Sequence, residues 1–359
     1  MEGKPVTILV TGIGSPGAFG VVRSLRQIRE RRLQIIGADA NSDATGQSWV
    51  DGFHVVPRAD SGDFPQVLTD VCKAESVDVV LPLVTRELVP LAEMQEDLAV
   101  IGTRMPLPTV ETLRKANHKG MLFRTLAQAN IPVPQFQSVK TLDELRSSFM
   151  SMGYPARPVC FKPVYGDGRR GFRILDKTLN AGKSLFEDKP DSTHISETEL
   201  FDKLQNNTGI PELVVMEYLP GAEYSVDLLA RHGEMIVSVV RLREQITGGI
   251  TTKGRIVDEP DVVRYVTSVV SALGLHGNVG VQVRRNDNGE PRILEVNPRL
   301  QGTTILCTAA GVNLPWLGVK LALGEEIQKT ELEFETGVRL VRHWDEVFFR
   351  SDGSAFTMQ

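Results

Sequence analysis

Glu295 and Asn297 lie two positions apart in Ile293-Leu294-Glu295-Val296-Asn297-Pro298-Arg299, a run that reads as a buried strand ending in a turn. Side chains alternate faces on a strand, so the two oxygen donors share one face while Leu294 and Val296 turn the other way into a core. Hard cations such as Mg²⁺ take oxygen ligands and fill the rest of their shell with water and nucleotide phosphates. Val279–Arg284 can pair with this strand through the turn Asn286-Asp287-Asn288-Gly289, which brings Gln282 beside Glu295. The pattern predicts a nucleotide-bound Mg²⁺ site with Arg299 just past it. The same alternation suits any half-exposed strand, and Asn-Pro is a common turn opener, so the pair gains meaning only from the rest of the chain.

Three further groups carry chemistry. Val159-Cys160-Phe161-Lys162-Pro163 reads as a short strand with one inward lysine, followed by the glycine-bearing stretch Tyr165–Arg173. Gly166 and Gly168 let such a loop fold over phosphates with its backbone amides, or leave it a plain surface hairpin. Leu213–Asp227 reads as an apolar strand, a Pro-Gly turn and a second strand. Its end at Glu217-Tyr218-Leu219 could lie along an adenine edge, and Glu223 could accept from both ribose hydroxyls; an ordinary hairpin with a solvated glutamate explains the same residues. Near the N-terminus, Gly12-x-Gly14-x-x-Gly17 follows a strand and opens a helix, and Asp39 ends the next strand. That spacing matches a dinucleotide fingerprint. Any tight strand-to-helix turn also welcomes glycine, and Pro16 removes one amide donor, so the loop either binds part of a substrate or simply turns.

The elements that position these groups follow from patterning. Val6–Val10 is an apolar run suited to a central parallel strand, and a helix follows through Val21, Val22, Leu25 and Ile28. Gln34–Asp39 and Val77–Leu83 continue the β-α alternation, and Leu98–Gly102 is expected as its last strand. The Pro-rich Met105–Pro108 marks a boundary, with helices expected over Thr109–Asn117 and Lys119–Ala129. From Arg157 onward the pattern is antiparallel, Asp176–Gly209 reads as a loop and helix excursion, and Arg339–Phe348 as a closing strand. A chain of 359 residues implies two or three domains. Apolar content of 41%, charge of 24% and a net charge of −5 describe a globular protein without a broad nucleic-acid-binding face. The N-terminus lacks a signal-peptide core, no stretch suits a membrane span, and Cys72, Cys160 and Cys307 are scattered, which predicts a cytoplasmic setting.

Taken in order, these groups resemble the ATP-grasp superfamily, most closely single-unit proteins similar to the carbamoyl-phosphate synthase large subunit. The resemblance covers nearly the whole chain. It implies an α/β and α+β fold: a doubly wound parallel preATP-grasp sheet over residues 1–105, linker helices and a small subdomain with the glycine-rich loop over 106–220, and a C-terminal subdomain with the metal site over 221–359. The two ATP-grasp subdomains are expected to enclose ATP. The resemblance places Lys119, after His118, and Lys162 on the ATP phosphates, with Gly166 and Gly168 in the covering loop. It places Glu217, Tyr218 and Leu219 at the adenine and Glu223 on the ribose. Gln282, Glu295 and Asn297 become metal ligands; many relatives carry Asp in place of Gln282. Carbamoyl phosphate synthases contain two such units and further domains, so the resemblance carries over the ATP chemistry and not that product.

The implied reaction is carboxylate-amine ligation through an acyl phosphate, with ATP and two Mg²⁺ ions, Mn²⁺ as a substitute, and small-molecule acid and amine as substrates. Glu295 would bridge both ions and Arg299 would grip the migrating phosphoryl group with its planar fork. Arg241, Arg243, Lys253 and Arg255 are candidates for the acid substrate; Arg241 and Arg243 share strand parity. Glu87, in Thr85-Arg86-Glu87 after a parallel strand, is a candidate for binding an amine. A homodimer follows by family analogy, with no nucleic-acid or membrane partner. The rival readings are a carbamoyl-phosphate-synthase-like kinase of a small carboxylate, a non-catalytic nucleotide-binding module and an NAD-dependent oxidoreductase.

Overall fold

The computed structural model describes residues 3–166, 171–177, 193–204, 209–343 and 345–358. The chain divides into two units. Unit 1 comprises Met1–Arg114, Glu223–Gln282 and Val296–Gln359, and unit 2 comprises Lys115–Ala222 and Val283–Glu295.

Unit 1 opens with a parallel sheet of β1 (Gly3–Thr11), β2 (Arg31–Asp39), β3 (Gly52–Val55) and β4 (Val79–Pro82), in the order β3-β2-β1-β4. The apolar run of β1 supplies both faces. Ile8 and Val10 join Val21, Val22 and Leu25 of the helix Ala18–Leu25 in one core, while Leu9 joins Leu68 and Val71 of the helix Phe64–Ala74 in another. Helices on both faces make the sheet doubly wound. The expected strand at Leu98–Gly102 is instead the end of the helix Gln95–Val100. Leu98 alone in that helix is buried, while Val100 is 87% exposed, so burial follows one helical stripe and not a strand's alternation. On the outer side of β4 the sheet is extended, among the described residues, by an isolated parallel bridge from Val79 to Arg104.

Unit 2 carries a sheet of β5 (Phe136–Val139), β6 (Val159–Pro163), β7 (Arg173–Leu175), β8 (His194–Ile195) and β9 (Leu213–Glu217), ordered β5-β9-β6-β7-β8. Its pairs are antiparallel except β7–β8. The helix Leu142–Ser151 starts at a reciprocal cap in which Thr141 Oγ1 accepts from Glu144 N and Glu144 Oε2 accepts from Thr141 N. Leu145 and Phe149 of that helix enter the core with Val159, Phe161 and Val215. Of the excursion at 176–209, β8 and the helix Glu197–Leu204 are described.

The third sheet is formed by β10 (Glu223–Arg231), β11 (Glu234–Thr247), β12 (Ile250–Ile256), β13 (Gly277–Arg285), β14 (Pro291–Asn297) and β15 (Arg339–Val341), in the order β14-β13-β10-β11-β12-β15. The expected hairpin is present: β13 and β14 are neighbours, and Asn286 N donates to Glu290 O at 2.9 Å across its turn. The helix Pro260–Leu273 buries Val262, Tyr265, Val266, Val269, Val270 and Leu273, a single stripe at helical spacing, and stops at left-handed Gly274. The closing strand is short: β15 pairs antiparallel with β12. No helix among the described residues is long and apolar enough to cross a membrane.

Candidate active site

Unit 2 holds two buried ammonium groups and the stretch Glu217-Tyr218-Leu219. Lys119 is the first residue of the helix Lys119–Gln128, capped by His118 Nδ1, which accepts from Met121 N at 3.2 Å. Its main-chain amide donates to Val164 O at 3.0 Å and its Nζ to Gly166 O at 2.6 Å. Lys162 lies on β6, and its Nζ donates to Leu294 O at 2.9 Å. Each ammonium group thus donates to a main-chain carbonyl oxygen. Burial lowers the His118 pKa, opposed by Glu212 nearby, so the ring favours its neutral, accepting form.

Strand β9 ends at Glu217, whose Oε1 accepts from Gln135 N at 2.9 Å while its own amide donates to Gln135 O at 3.0 Å. The guanidinium of Arg284 stands 5.3 Å from the Tyr218 ring centre, and Leu219 is buried. The Pro-Gly turn is fastened from both sides: Gly221 N donates to Arg285 O at 3.0 Å, and Arg284 Nε to Gly221 O at 3.0 Å. Glu295, on β14, is partly exposed. Gly166 adopts φ +130°, whereas Gly168 lies outside the described residues.

In unit 1 the residues of β10 and β11 meet through register. Tyr224 pairs with Leu242 and Ser225 with Arg241, so Glu223 and Asp227 share a face with Arg241 and Arg243. Arg243 Nη1 donates to Glu223 Oε1 at 2.6 Å and to Gln282 Oε1 at 3.0 Å; its Nη2 donates to Gly249 O at 2.7 Å and its Nε to Thr251 Oγ1 at 3.0 Å. One guanidinium thus joins the ribose candidate, a metal-ligand candidate and the glycine loop at Gly248–Gly249. Arg241 is 1% exposed, forms an ion pair with Asp227 and donates to Gln301 Oε1 at 3.0 Å. Thr304 Oγ1 donates to the other Asp227 oxygen at 2.6 Å. Arg241 Nη1 and Gln301 Nε2 are buried donors without a hydrogen-bond partner. Lys253 and Arg255 are exposed on β12, Arg255 beside Glu244 at 3.2 Å.

Asn297 is buried at the end of β14, and Arg299 N donates to Asn297 O at 2.7 Å in the turn that follows. Arg299 Nε reaches Thr85 Oγ1 at 3.0 Å. Glu87, two positions beyond Thr85, is buried and accepts from Thr11 Oγ1 at the end of β1. Burial pushes its carboxyl up to about 7; the Thr11 hydroxyl opposes this and the charge of Asp39 adds to it. Asp39 fastens the glycine loop, its Oδ2 accepting from Gly14 N at 2.8 Å and its Oδ1 from Asn41 N at 2.9 Å. Asp227, Gln301, Thr85 and Thr11 were not singled out by the sequence reading. A signal existed for two: Gln301 continues the alternating polar run Glu295, Asn297, Arg299, and Asp227 shares strand parity with Glu223.

A doubly wound parallel sheet leading into two sheets of this order and connection is the fold shared with ATP-grasp ligases. Residues 209–344 match the family described as "ATP-grasp in the biosynthetic pathway with Ter operon", and residues 8–106 match "PylC-like, N-terminal domain". The chain thus carries an ATP-grasp domain behind a PylC-like N-terminal domain. It is 21% identical over 356 residues to the carbamoyl phosphate synthase large chain of Methanobrevibacter smithii, covering 93% of this chain and 32% of that one. It is 20% identical over 347 residues to the N-terminal section of the same enzyme from Methanopyrus kandleri, covering 90% of this chain and 56% of that one. The chain thus spans only about a third to a half of the length of these relatives. Among solved structures, L-amino acid ligase from Bacillus licheniformis superposes with a TM-score of 0.65 at 18% identity, over 93% of this chain and 78% of that one. The biotin carboxylase domain dimer of Hydrogenobacter thermophilus 2-oxoglutarate carboxylase, in complex with MgADP, ADP and bicarbonate, gives 0.67 at 15% identity, over 91% and 72%. At these identities the likeness is one of fold.

Proposed function

We propose that the protein is an ATP-dependent carboxylate-amine ligase that forms an amide or peptide-like bond through an acyl phosphate and releases ADP and phosphate. The observation that carries this reading is Glu295-Val296-Asn297-Pro298-Arg299 on β14, beside the β13 strand of Gln282, within an ATP-grasp fold. Lys119 and Lys162 would donate to the anionic phosphate oxygens of ATP, which are stronger acceptors than main-chain carbonyls. The main chain at Gly166 would cover the phosphates, Glu217, Tyr218 and Leu219 would meet the adenine, and Glu223 the ribose. Glu223 is held by Arg243, so a nucleotide would share that carboxylate with a guanidinium or displace it.

Gln282, Glu295 and Asn297 are oxygen donors with one carboxylate among them, residue types that would suit Mg²⁺ whose remaining ligands are phosphate oxygens. A metal held there would supply positive charge to the phosphoryl group in transfer. Arg299 grips the phosphoryl group in transfer and then the acyl phosphate, where a planar two-pronged donor follows the spreading charge. Arg243, backed by Arg241 in its buried ion pair with Asp227, would form the cationic side that receives the acid; Arg255 pairs with Leu242 across β11 and β12 and so lies on the opposite face. Two ions, Mn²⁺ in place of Mg²⁺, a homodimer and a cytoplasmic setting belong to the same reading. A second reading, phosphorylation of a small carboxylate without ligation, is favoured by the carbamoyl phosphate synthase relatives.

The test is ADP release across sets of carboxylic acids and amines. A ligase turns over ATP substantially only when acid and amine are both present; a kinase needs the acid alone; a binding module shows neither. Glu295→Gln should lower turnover by about 10²–10³-fold or more, the range for losing one preorganised electrostatic group, with the thermal unfolding midpoint unchanged. Full activity in that variant removes the metal assignment.

A further inference from the structure

We infer that Glu87 is the amine-receiving carboxylate of this enzyme: it binds a cationic amine and takes its proton before the nitrogen attacks. The inference rests on the ligase reading above and deepens it.

In the order β3-β2-β1-β4 the chain moves outward from β1 in one direction to β2 and β3, and in the other to β4. In open parallel sheets, ligands bind outside the carboxyl ends of the strands at the point where the order reverses. Here that point lies between β1 and β4, whose last paired residues are Thr11 and Pro82. Glu87 follows β4, and Thr11 ends β1; the hydrogen bond between them spans the crevice. Thr11 donates to one oxygen, Oε2, leaving Oε1 as the acceptor for a ligand.

Charge then selects the ligand. The ionisable groups about Glu87 are Asp39, at the end of β2, and Arg86, exposed beside it in sequence. Arg299 is tied to Thr85 rather than to the carboxylate. Two acids at the crevice repel a carboxylate or phosphate and attract an ammonium ion. The Arg299–Thr85 bond brings the arginine assigned to the acyl phosphate within two residues of Glu87, inside the same unit. Burial holds this carboxyl near 7, a value suited to exchanging a proton at neutral pH.

The step balances. R–NH₃⁺ gives one proton to the Glu87 carboxylate. The free amine attacks the acyl carbon, forming a C–N bond as the bond to the phosphate oxygen breaks. The second amine proton leaves with the phosphate as HPO₄²⁻, and Glu87 returns its proton to water.

Hydroxylamine supplies the test, because it is a neutral nucleophile near pH 7 and needs no proton acceptor to become reactive. With each acid that supports ADP release, hydroxamate formation from hydroxylamine is compared with amide formation from ammonium chloride and from a set of amino acids. Glu87→Gln should lower amide formation at least 100-fold, while hydroxamate formation falls less than tenfold and the unfolding midpoint stays near that of the wild type. Its residual amide rate should climb with pH as free amine appears in solution, whereas the wild-type rate levels off above neutral pH. Equal losses with both nucleophiles, or no loss with either, would overturn the inference. So would wild-type enzyme that makes hydroxamate but no amide from any of these amines. Wild-type enzyme that makes neither product with any acid removes the ligase reading itself, and this inference with it.

Discussion

Arg241 and Arg243 stand two positions apart on one face of β11 and hold different partners. Arg243 joins Glu223 and Gln282, both assigned to the nucleotide and its metal. Arg241 is closed into an ion pair with Asp227, whose other oxygen is taken by Thr304. Removing one partner of a buried pair leaves an uncompensated charge, which costs about 3–5 kcal/mol. Arg241→Met should therefore lower unfolding free energy in urea by that amount. Arg255→Ala should cost at most about 1 kcal/mol, because the Arg255–Glu244 pair is 48% and 26% exposed. Equal costs for the two variants would show that the buried pair is not holding β10 to β11.

At the scale of elements, the glycine loop after β1 has a packing task that its spacing disguised. Gly12 adopts φ +66°, where a side chain is strained. A Cβ on Gly17 would stand 2.7 Å from Gly302 Cα, closer than a backbone can tolerate. Gly17→Ala should lower the unfolding midpoint by several degrees, read by calorimetry; an unchanged midpoint would mean that the loop is free to move away from Gly302. Much of the architecture was legible. The unbroken apolar run of β1 gave a two-faced parallel strand, and the turn residues 286–289 gave the β13–β14 hairpin. Leu98-Ala99-Val100 was misread because three apolar residues cannot by themselves distinguish strand from helix. β3 was missed because Gly52–Val55 is short and only partly buried. The polar runs around Glu295 and Glu223 were legible by parity. Thr11 and Glu87 were not legible as a pair, because 76 residues separate them and only the β1–β4 pairing brings them together.

At the scale of the whole molecule, the fold joins an N-terminal parallel sheet to an ATP-grasp region and spans only part of its carbamoyl phosphate synthase relatives. The account requires that carboxylate activation and amine capture both occur within this chain, the first at Arg299 and the metal ligands, the second at Glu87. Its central claim is the acyl phosphate. The most direct measurement labels the carboxylate oxygens of the acid that supports ADP release with oxygen-18 and follows the label by mass spectrometry during one turnover with the amine. The account predicts one labelled oxygen in the released phosphate and one in the amide. Phosphate free of label, with an amide formed, would contradict it.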